Sequence, residues 1–365
     1  MLARVLTVAV AIVSSVSVAF GCTAVNILAA DGTVVAARSM EWALDMKWAL
    51  VHLPKGTAVQ LAAPESADRP EKTVETTHAI VGVTTDLVPG NVLLDGTNDA
   101  GLTMSGNFLP GFTTYQTVTA ADEGYVSIYE FGAWSLGMFD SVAALRDGLS
   151  TVKVWWDGKT IGGSPPDLHF VFTDKTGESV VLEFVNGEQM LHDNIVQVLT
   201  NAPTYDWHLN NLRNYLDLRS TAVTSVNIGT ADVTSLGQGG GLRGVPADYT
   251  PPARFVKSAY VRHFAQKPKN AAEAVSLAGH VMNTVDIPYG VVQSKEGKSL
   301  VTDYTQWIVI KDVTNGSLRI ADYDNRTNFL EIDLDSVFAG GQAAKVPVSE
   351  LPYPTGDALT ALSAN

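Results

Sequence analysis

Apolar and polar positions along the chain fall into blocks that predict strands and helices in separate groups. Period-two alternation predicts strands over residues 23–30, 33–42, 81–87, 101–107, 168–173, 179–185, 195–199, 305–311, 318–323 and 329–333. Helical periodicity predicts helices over residues 125–149, 206–216, 254–264 and 271–285. Turn-forming residues predict loops over residues 56–76, 95–98 and 237–252. Because strands and helices are grouped rather than alternating, we expect an α+β fold with largely antiparallel sheets.

The first 21 residues have the three-part pattern of a secretory signal peptide. Arg4 precedes an uncharged, mostly apolar run at residues 5–20. The small residues Ala19 and Gly21 then predict cleavage before Cys22, and with it export to the periplasm or the medium. A membrane anchor is the alternative, but the run is short for a bilayer span and contains several serines.

Composition narrows the possible functions. With 46% hydrophobic and 17% charged residues the chain suits a globular protein. Residues 22–365 contain no repeat and no interior linker, so we expect them to form one domain. The net charge of −14 repels nucleic-acid phosphates, which argues against a nucleic-acid partner. The seven histidines are scattered without the spacing of a metal site, and we expect neither a metal nor another cofactor.

Cys22 is the chain's single cysteine, so no intrachain disulfide can form. The N-terminal stretch leaves three interpretations open: a nucleophile, the lipid anchor of a non-catalytic binding protein, and a buried inert thiol. Phe20 is bulky where lipoprotein signals place a small residue. As a nucleophile, Cys22 would use its own α-amino group, with a pKa of about 7.7–8.0, to accept the thiol proton and attack an amide.

Polar residues elsewhere could complete such a site. The predicted hairpin folds Arg38 and Glu41 back toward Cys22, although a surface ion pair would explain both. Asn201 follows a strand-like segment, where it either forms a turn or points its amide at an oxyanion. Arg254 places a positive charge near a predicted helix start, which the helix dipole disfavours. Burial in a functional site is one explanation for Arg254, and solvent exposure is the other.

The motifs, taken together and in order, resemble the cholylglycine hydrolase family of N-terminal-nucleophile (Ntn) hydrolases, which includes conjugated bile acid hydrolases and penicillin V acylases. The resemblance lies in residues 22–26, 37–42, 96–102, 106–111, 200–212 and 241–255. It implies that the α+β fold is a four-layered αββα sandwich of two antiparallel sheets.

The resemblance also implies catalytic roles. Cys22 is similar to the family's nucleophile, and Arg38 to the arginine that lies against its thiol. Glu41 stands where the family usually has the Asp that holds the α-amino group, and it is one methylene longer. Asn201 resembles the amide of the oxyanion hole, and Arg254 the second arginine of the site.

Substrate class is less sharply indicated. Asn107, a second catalytic candidate to hold the oxyanion beside Asn201, stands where bile acid hydrolases tend to have Asn and some penicillin V acylases have Tyr. Met40 and Trp42 are candidates to line an apolar acyl pocket, although core packing would explain them equally well. The export signal and Glu41 resemble the Gram-negative branch of the family, which leans toward penicillin V and fatty-acyl homoserine lactones.

We therefore expect an amidohydrolase of the penicillin V or acyl homoserine lactone type, with conjugated bile acid hydrolysis as the alternative. Its expected partner is a small amide with an apolar acyl group. The resemblance further implies a homo-oligomer, since many members of the family are tetramers, and the sequence has no later segment suited to spanning a membrane.

Overall fold

The structure, a computed structural model, describes residues 21–88, 92–161, 163–296 and 299–355. The predicted signal peptide, residues 1–21, lies outside the described residues except for Gly21. The described residues form strands β1 (Cys22–Leu28), β2 (Val34–Trp42), β3 (Trp48–Leu53), β4 (Ala58–Leu61), β5 (Lys72–Glu75), β6 (Ile80–Thr85), β7 (Leu93–Asn98), β8 (Thr103–Phe108), β9 (Tyr125–Ser127), β10 (Lys153–Trp155), β11 (Leu168–Thr173), β12 (Ser179–Val185), β13 (Glu188–Asp193), β14 (Val198–Leu199), β15 (Ser225–Ile228), β16 (Ala231–Thr234), β17 (Val292–Glu296), β18 (Ser299–Asp312), β19 (Ser317–Asp322), β20 (Leu330–Asp333) and β21 (Ala344–Pro347). The helices in the same part of the chain are α1 (Phe131–Met138), α2 (Val142–Leu149), α3 (Tyr205–Asn211), α4 (Pro251–Phe264), α5 (Ala271–Asn283) and α6 (Leu334–Gly340).

Two large antiparallel sheets carry the fold. Sheet I has the strand order β14-β1-β2-β18-β19-β20, with β17 added to β18. Sheet II has the order β13-β12-β11-β8-β7-β6-β3-β21. The β1–β2 hairpin predicted from the sequence lies inside sheet I, and its register pairs Cys22 with Met40 and Ala24 with Arg38.

The two sheets stack face to face and are covered by helices on their outer sides. Met40 and Trp307 of sheet I share one apolar core with Met104 and Phe170 of sheet II. On the other face of sheet I, Val25, Ala37 and Ile308 share a second core with residues of α4 and α5. Helix α1 covers sheet II, where Asn98 Nδ2 donates to the carbonyl of Leu136 at 2.8 Å. The layers are therefore αββα, as the family resemblance implied.

One segment that was predicted as a loop forms a buried strand in the middle of sheet II. Residues 95–98 were expected to turn, but they belong to β7, which is buried along its whole length between β6 and β8. Gly96 is needed there because a Cβ would lie 2.9 Å from Leu136 of α1 and 3.1 Å from the Val81 carbonyl. The glycine therefore marks a close approach of helix and strand rather than a turn.

Two other segments differ from the expected pattern. Residues 56–76 form the small sheet of β4 and β5 instead of a loop. The expected helix over 125–149 is split into the short strand β9 and helices α1 and α2, because Ser141 breaks the helix and caps the second one at Ala144 N. Helices α4 and α5 match the predictions closely.

Candidate active site

Cys22 is the first residue of β1 and lies between the two sheets, with 1% of its surface exposed. Its Sγ atom is 3.5 Å from Nη2 of Arg38 and 3.5 Å from Sδ of Met40. The hairpin register produces both contacts, because Met40 lies opposite Cys22 and Arg38 points to the same side of the sheet two residues away. The only thiol of the chain thus faces a guanidinium and a soft sulfur atom.

Backbone carbonyls hold the Arg38 guanidinium. Nη1 donates to the Leu94 carbonyl and Nη2 to the Gly106 carbonyl, both at 2.6 Å, and the Trp307 ring lies 5.0 Å from the guanidinium carbon. In the described parts of the chain no carboxylate forms an ion pair with Arg38. Its charge is therefore available to stabilise a thiolate at Cys22.

Asn201 and Arg254 hold the backbone of Cys22. Oδ1 of Asn201 accepts from the Cys22 nitrogen at 2.7 Å and from Nη2 of Arg254 at 2.7 Å, while Nδ2 of Asn201 donates to the Phe108 carbonyl at 2.9 Å. Nη1 of Arg254 donates to the Cys22 carbonyl at 2.6 Å and to Oγ1 of Thr23 at 2.7 Å. Burial lowers the pKa of Arg254, and the nearby Glu41 carboxylate opposes that shift. The positive charge of Arg254 near the start of α4 is therefore buried, and its guanidinium holds the backbone of Cys22.

Glu41 is fully buried beside the residue that precedes the cysteine. Its backbone nitrogen donates to the Gly21 carbonyl at 2.7 Å, and its Oε1 accepts from Oγ1 of Thr305 at 2.8 Å. Oε2 has no hydrogen-bond partner among the described atoms. It lies 3.4 Å from the point that a Cβ on Gly21 would occupy. Burial raises the pKa of Glu41, whereas the charge of Arg254 lowers it.

Asn107 reaches the site from sheet II. Its Nδ2 donates to the carbonyls of Thr200, at 2.8 Å, and Leu199, at 3.3 Å, and its buried Oδ1 has no partner among the described atoms. The structure therefore brings Asn107 to the backbone that carries Asn201, with both amide hydrogens directed at carbonyls. Its expected part in holding the oxyanion together with Asn201 stays a prediction.

The two candidate pocket residues lie on β2 and behave differently. Met40 touches the Cys22 thiol and the Arg38 guanidinium, the latter at 3.3 Å. Trp42 packs edge-on against Phe108, with ring centroids 5.6 Å apart. Met40 therefore lies against the sulfur, and Trp42 lies two residues further along β2.

The structure adds four polar residues that the sequence did not single out: Thr305, His169, Glu183 and His208. Thr305 holds Glu41, His208 Nε2 bonds the Asn201 carbonyl at 2.8 Å, and His169 and Glu183 form a buried pair 3.0 Å apart. His169 and Glu183 interrupt the apolar strands β11 and β12, and an interior polar group is costly unless it is bonded. That interruption is the signal that could have identified them.

In residues 21–88, 92–161, 163–296 and 299–355 no group of three or more His, Cys, Asp or Glu side chains is arranged to hold a metal ion. Within the same ranges no helix is both long enough and apolar enough to cross a bilayer.

Two stacked antiparallel sheets between helical layers, with a cysteine at the start of an inner strand, define an Ntn-hydrolase fold. The family profile described as linear amide C–N hydrolases, choloylglycine hydrolase family, matches residues 22–337, and the chain belongs to that family. It is an enzyme of the class that hydrolyses linear amide bonds.

Individual relatives agree with this assignment. The bile salt hydrolase/transferase of Clostridium perfringens is 29% identical over 294 residues, which cover 80% of this chain and 86% of the relative. The penicillin V acylase of Pectobacterium atrosepticum is 26% identical over 182 residues, 48% of this chain and 47% of the relative. A crystal structure of a variant of the C. perfringens conjugated bile acid hydrolase superposes with a TM-score of 0.77 at 26% identity, covering 89% of this chain and 97% of that chain.

Proposed function

We propose that Cys22, freed at its amino end, is the nucleophile that cleaves an N-acyl amide. The observation that best supports this proposal is that the thiol and the backbone nitrogen of Cys22 are both held in one buried site. Arg38 lies 3.5 Å from the sulfur, and Asn201 accepts from the nitrogen at 2.7 Å. In the described chain that nitrogen belongs to the Gly21–Cys22 peptide bond, so the base forms only when residues 1–21 are removed. The unpartnered Oε2 of Glu41 beside Gly21 is then positioned to hold the new ammonium group.

The first half-reaction forms a thioester. The neutral α-amine of Cys22 takes the thiol proton, and the sulfur attacks the amide carbonyl carbon. Nδ2 of Asn201 has a second hydrogen to donate to the developing oxyanion, beside the one it donates to Phe108. The C–N bond then breaks, and the Cys22 ammonium gives its proton to the leaving amine.

The second half-reaction regenerates the thiol. Water attacks the thioester carbonyl while the α-amine takes one of its protons, and the acid leaves as the C–S bond breaks. The thiolate recovers the proton from the ammonium. Arg38 stabilises the thiolate in both halves because its charge lies beside the sulfur.

Conjugated bile acids are the substrate class that we favour. The bile salt hydrolase/transferases of Clostridium perfringens and Bifidobacterium longum match over 294 and 315 residues, whereas the Pectobacterium penicillin V acylase matches about half of the chain. Asn107, the residue that bile acid hydrolases tend to have, bonds the Thr200 carbonyl next to Asn201. These observations reverse the order of substrates expected from the export signal and Glu41. Penicillin V and acyl homoserine lactones become the second candidate, supported by Glu41 and by the Pectobacterium relative.

A substrate panel with a Cys22→Ala variant tests this function. The mature wild-type chain should hydrolyse a glycine-conjugated bile acid with a higher kcat/KM than penicillin V or an acyl homoserine lactone. Cys22→Ala should lose hydrolysis of all three, because alanine offers no nucleophile.

The control for that test is Asn270→Ala, which removes the N-terminal cap of α5 at Glu273 and leaves the site untouched. It should keep the wild-type kcat/KM. Full activity in a folded Cys22→Ala protein would refute the mechanism. A higher kcat/KM for penicillin V or the lactone would leave the mechanism standing and restore the other substrate order.

The proposal includes a homo-oligomer, a tetramer by family resemblance. The hairpin of β15 and β16 is exposed along both strands. It pairs Val226 with Val233 and carries Ile228 at its tip, with exposed fractions of 49%, 46% and 65%. Apolar side chains on such a projection would be covered by a second copy of the chain.

A further inference from the structure

A row of buried polar side chains crosses sheet II behind Asn201. Asn107 on β8, His169 on β11 and Glu183 on β12 occupy three successive strands, and each is at most 1% exposed. The row ends on the backbone that carries Asn201. The row therefore lies beside the Asn201 amide, the candidate oxyanion donor. Its hydrogen bonds show which group it holds.

Two members of the row hold one carbonyl. Nδ2 of Asn107 lies 2.8 Å from the Thr200 oxygen, and Nε2 of His169 lies 3.0 Å from the same atom. Thr200 precedes Asn201, and the peptide unit between them is planar. Fixing the Thr200 oxygen therefore also fixes the nitrogen and Cα of Asn201. Together with the His208 bond to the Asn201 carbonyl, at 2.8 Å, it sets the direction in which the Asn201 side chain leaves the backbone.

Glu183 in turn fixes the histidine. Its Oε1 lies 3.0 Å from Nδ1 of His169 and accepts from the Tyr205 nitrogen, at the start of α3, at 2.9 Å. Both ring nitrogens of His169 thus face oxygen acceptors, and Nε2 donates to the Thr200 carbonyl. Rotating the ring would break both bonds at once.

Stability alone gives little reason for this pair. A buried ion pair is costly to remove from water, and apolar residues of similar volume often stabilise a core at least as well. A catalytic site that depends on the orientation of one amide does benefit from such a pair, because small displacements of catalytic groups lower the rate strongly. We propose that His169 and Glu183 are positioning residues of the reaction, which hold the Thr200 carbonyl and thereby aim the Asn201 amide.

The inference rests on the proposed function, and a matched pair of double variants tests it. H169L/E183Q removes the N–H donor without leaving a buried carboxylate unpaired, and the amide oxygen introduced by E183Q still accepts from the Tyr205 nitrogen. H169Q/E183Q has the same charge and similar size but keeps an N–H that reaches toward Thr200. The reference is the wild-type chain, in which Nε2 of His169 donates to Thr200.

Relative to the wild type, H169L/E183Q should lose about 10- to 100-fold in kcat with KM changed less than about threefold, because an oxyanion donor acts in the transition state. H169Q/E183Q should stay within about fivefold of the wild type. Rates are counted per folded chain, with folding checked by circular dichroism on the size-exclusion peak, so that misfolded protein does not enter the comparison. A kcat of H169L/E183Q within about threefold of the wild type would overturn the inference. If H169L/E183Q does not fold, H169N/E183Q replaces it, because asparagine is too short to reach the carbonyl.

Crystal structures of the same variants give a readout that needs no turnover. The distance between the Cys22 nitrogen and Asn201 Oδ1, 2.7 Å in the wild-type chain, should exceed about 3.5 Å in H169L/E183Q and stay unchanged in H169Q/E183Q. An unmoved Asn201 in H169L/E183Q would overturn the inference. A wild-type chain that hydrolyses no amide would refute the proposed function instead, and the two failures are therefore distinguishable.

Discussion

At the residue scale, His208 shows how a side chain without catalytic chemistry can limit the conditions under which the site exists. Its Nε2 bonds the Asn201 carbonyl at 2.8 Å, and its ring stacks on Phe255 with centroids 4.5 Å apart. Nδ1 is buried and has no partner among the described atoms. Burial, more than any other cause, lowers the pKa of His208 from 6.5 to about 4.

This shift predicts acid sensitivity. Below pH 6.5 the unfolded chain binds a proton at His208 that the folded chain refuses, so stability is complete above that pH and falls until about pH 4. The loss attributable to this residue is about 3 kcal/mol. Urea unfolding of the wild type and His208→Gln between pH 7 and pH 4 measures it, since glutamine can bond the carbonyl without titrating. Equal pH slopes for the two proteins would contradict the assignment.

At the scale of elements, the hairpin of β15 and β16 stands apart from the two large sheets, in a sheet of its own. Its exposed valines and isoleucine are the basis of the proposed oligomer. Replacing Val226, Ile228 and Val233 by threonine keeps the strand preference and removes apolar surface. We expect sedimentation velocity to show a tetramer for the wild type and smaller species for the triple variant.

The control for that experiment places the same change on exposed apolar residues elsewhere, Ile195, Val291 and Leu300. Three threonines at these positions should leave the sedimentation coefficient unchanged. A wild-type chain that sediments as a monomer at micromolar concentration would refute the oligomer proposal, whatever the variants do.

At the scale of the whole molecule, the proposed mechanism depends on where the mature chain begins. Gly21 is buried, and its carbonyl accepts from the Glu41 nitrogen, so residue 21 occupies sheet I beside the site. A chain that retains Gly21 has an amide at Cys22 instead of an amine and lacks the proposed base. We propose that export to the periplasm or the medium removes residues 1–21.

Mass spectrometry of the exported protein should find a free Cys22 at the amino end. A chain made to begin at Gly21 should have a kcat at least about 100-fold lower than one that begins at Cys22, because it lacks a general base. A Cys22 modified by a diacylglyceryl group would contradict the enzyme mechanism and favour the lipid-anchored binding protein. Equal rates for the two chains would show that the α-amine is not the base.

Local patterning predicted much of the fold correctly. The β1–β2 hairpin and helices α4 and α5 follow from periodicity and turn residues over short stretches, which depend on neighbours in the sequence. Prediction failed at β7, where Asp95 and Gly96 suggest a turn. The strand forms because Lys311 of sheet I bonds Asp95 at 2.6 Å and because α1 packs on Gly96. Both partners are distant in sequence, and local pattern carries no information about them.

The sequence by itself determined the elements that surround Cys22 and the order of the motifs that identify the family. Tertiary structure decided which of those motifs reach the cysteine and what each side chain does there. Asn201 and Arg254, separated from Cys22 by 179 and 232 positions, meet it because the two sheets and α4 converge on the start of β1. The same packing turned the Asn107 amide onto the Thr200 carbonyl and placed His169 beside it. Hydrogen-bond geometry between distant strands depends on how the sheets stack, and no local pattern encodes it.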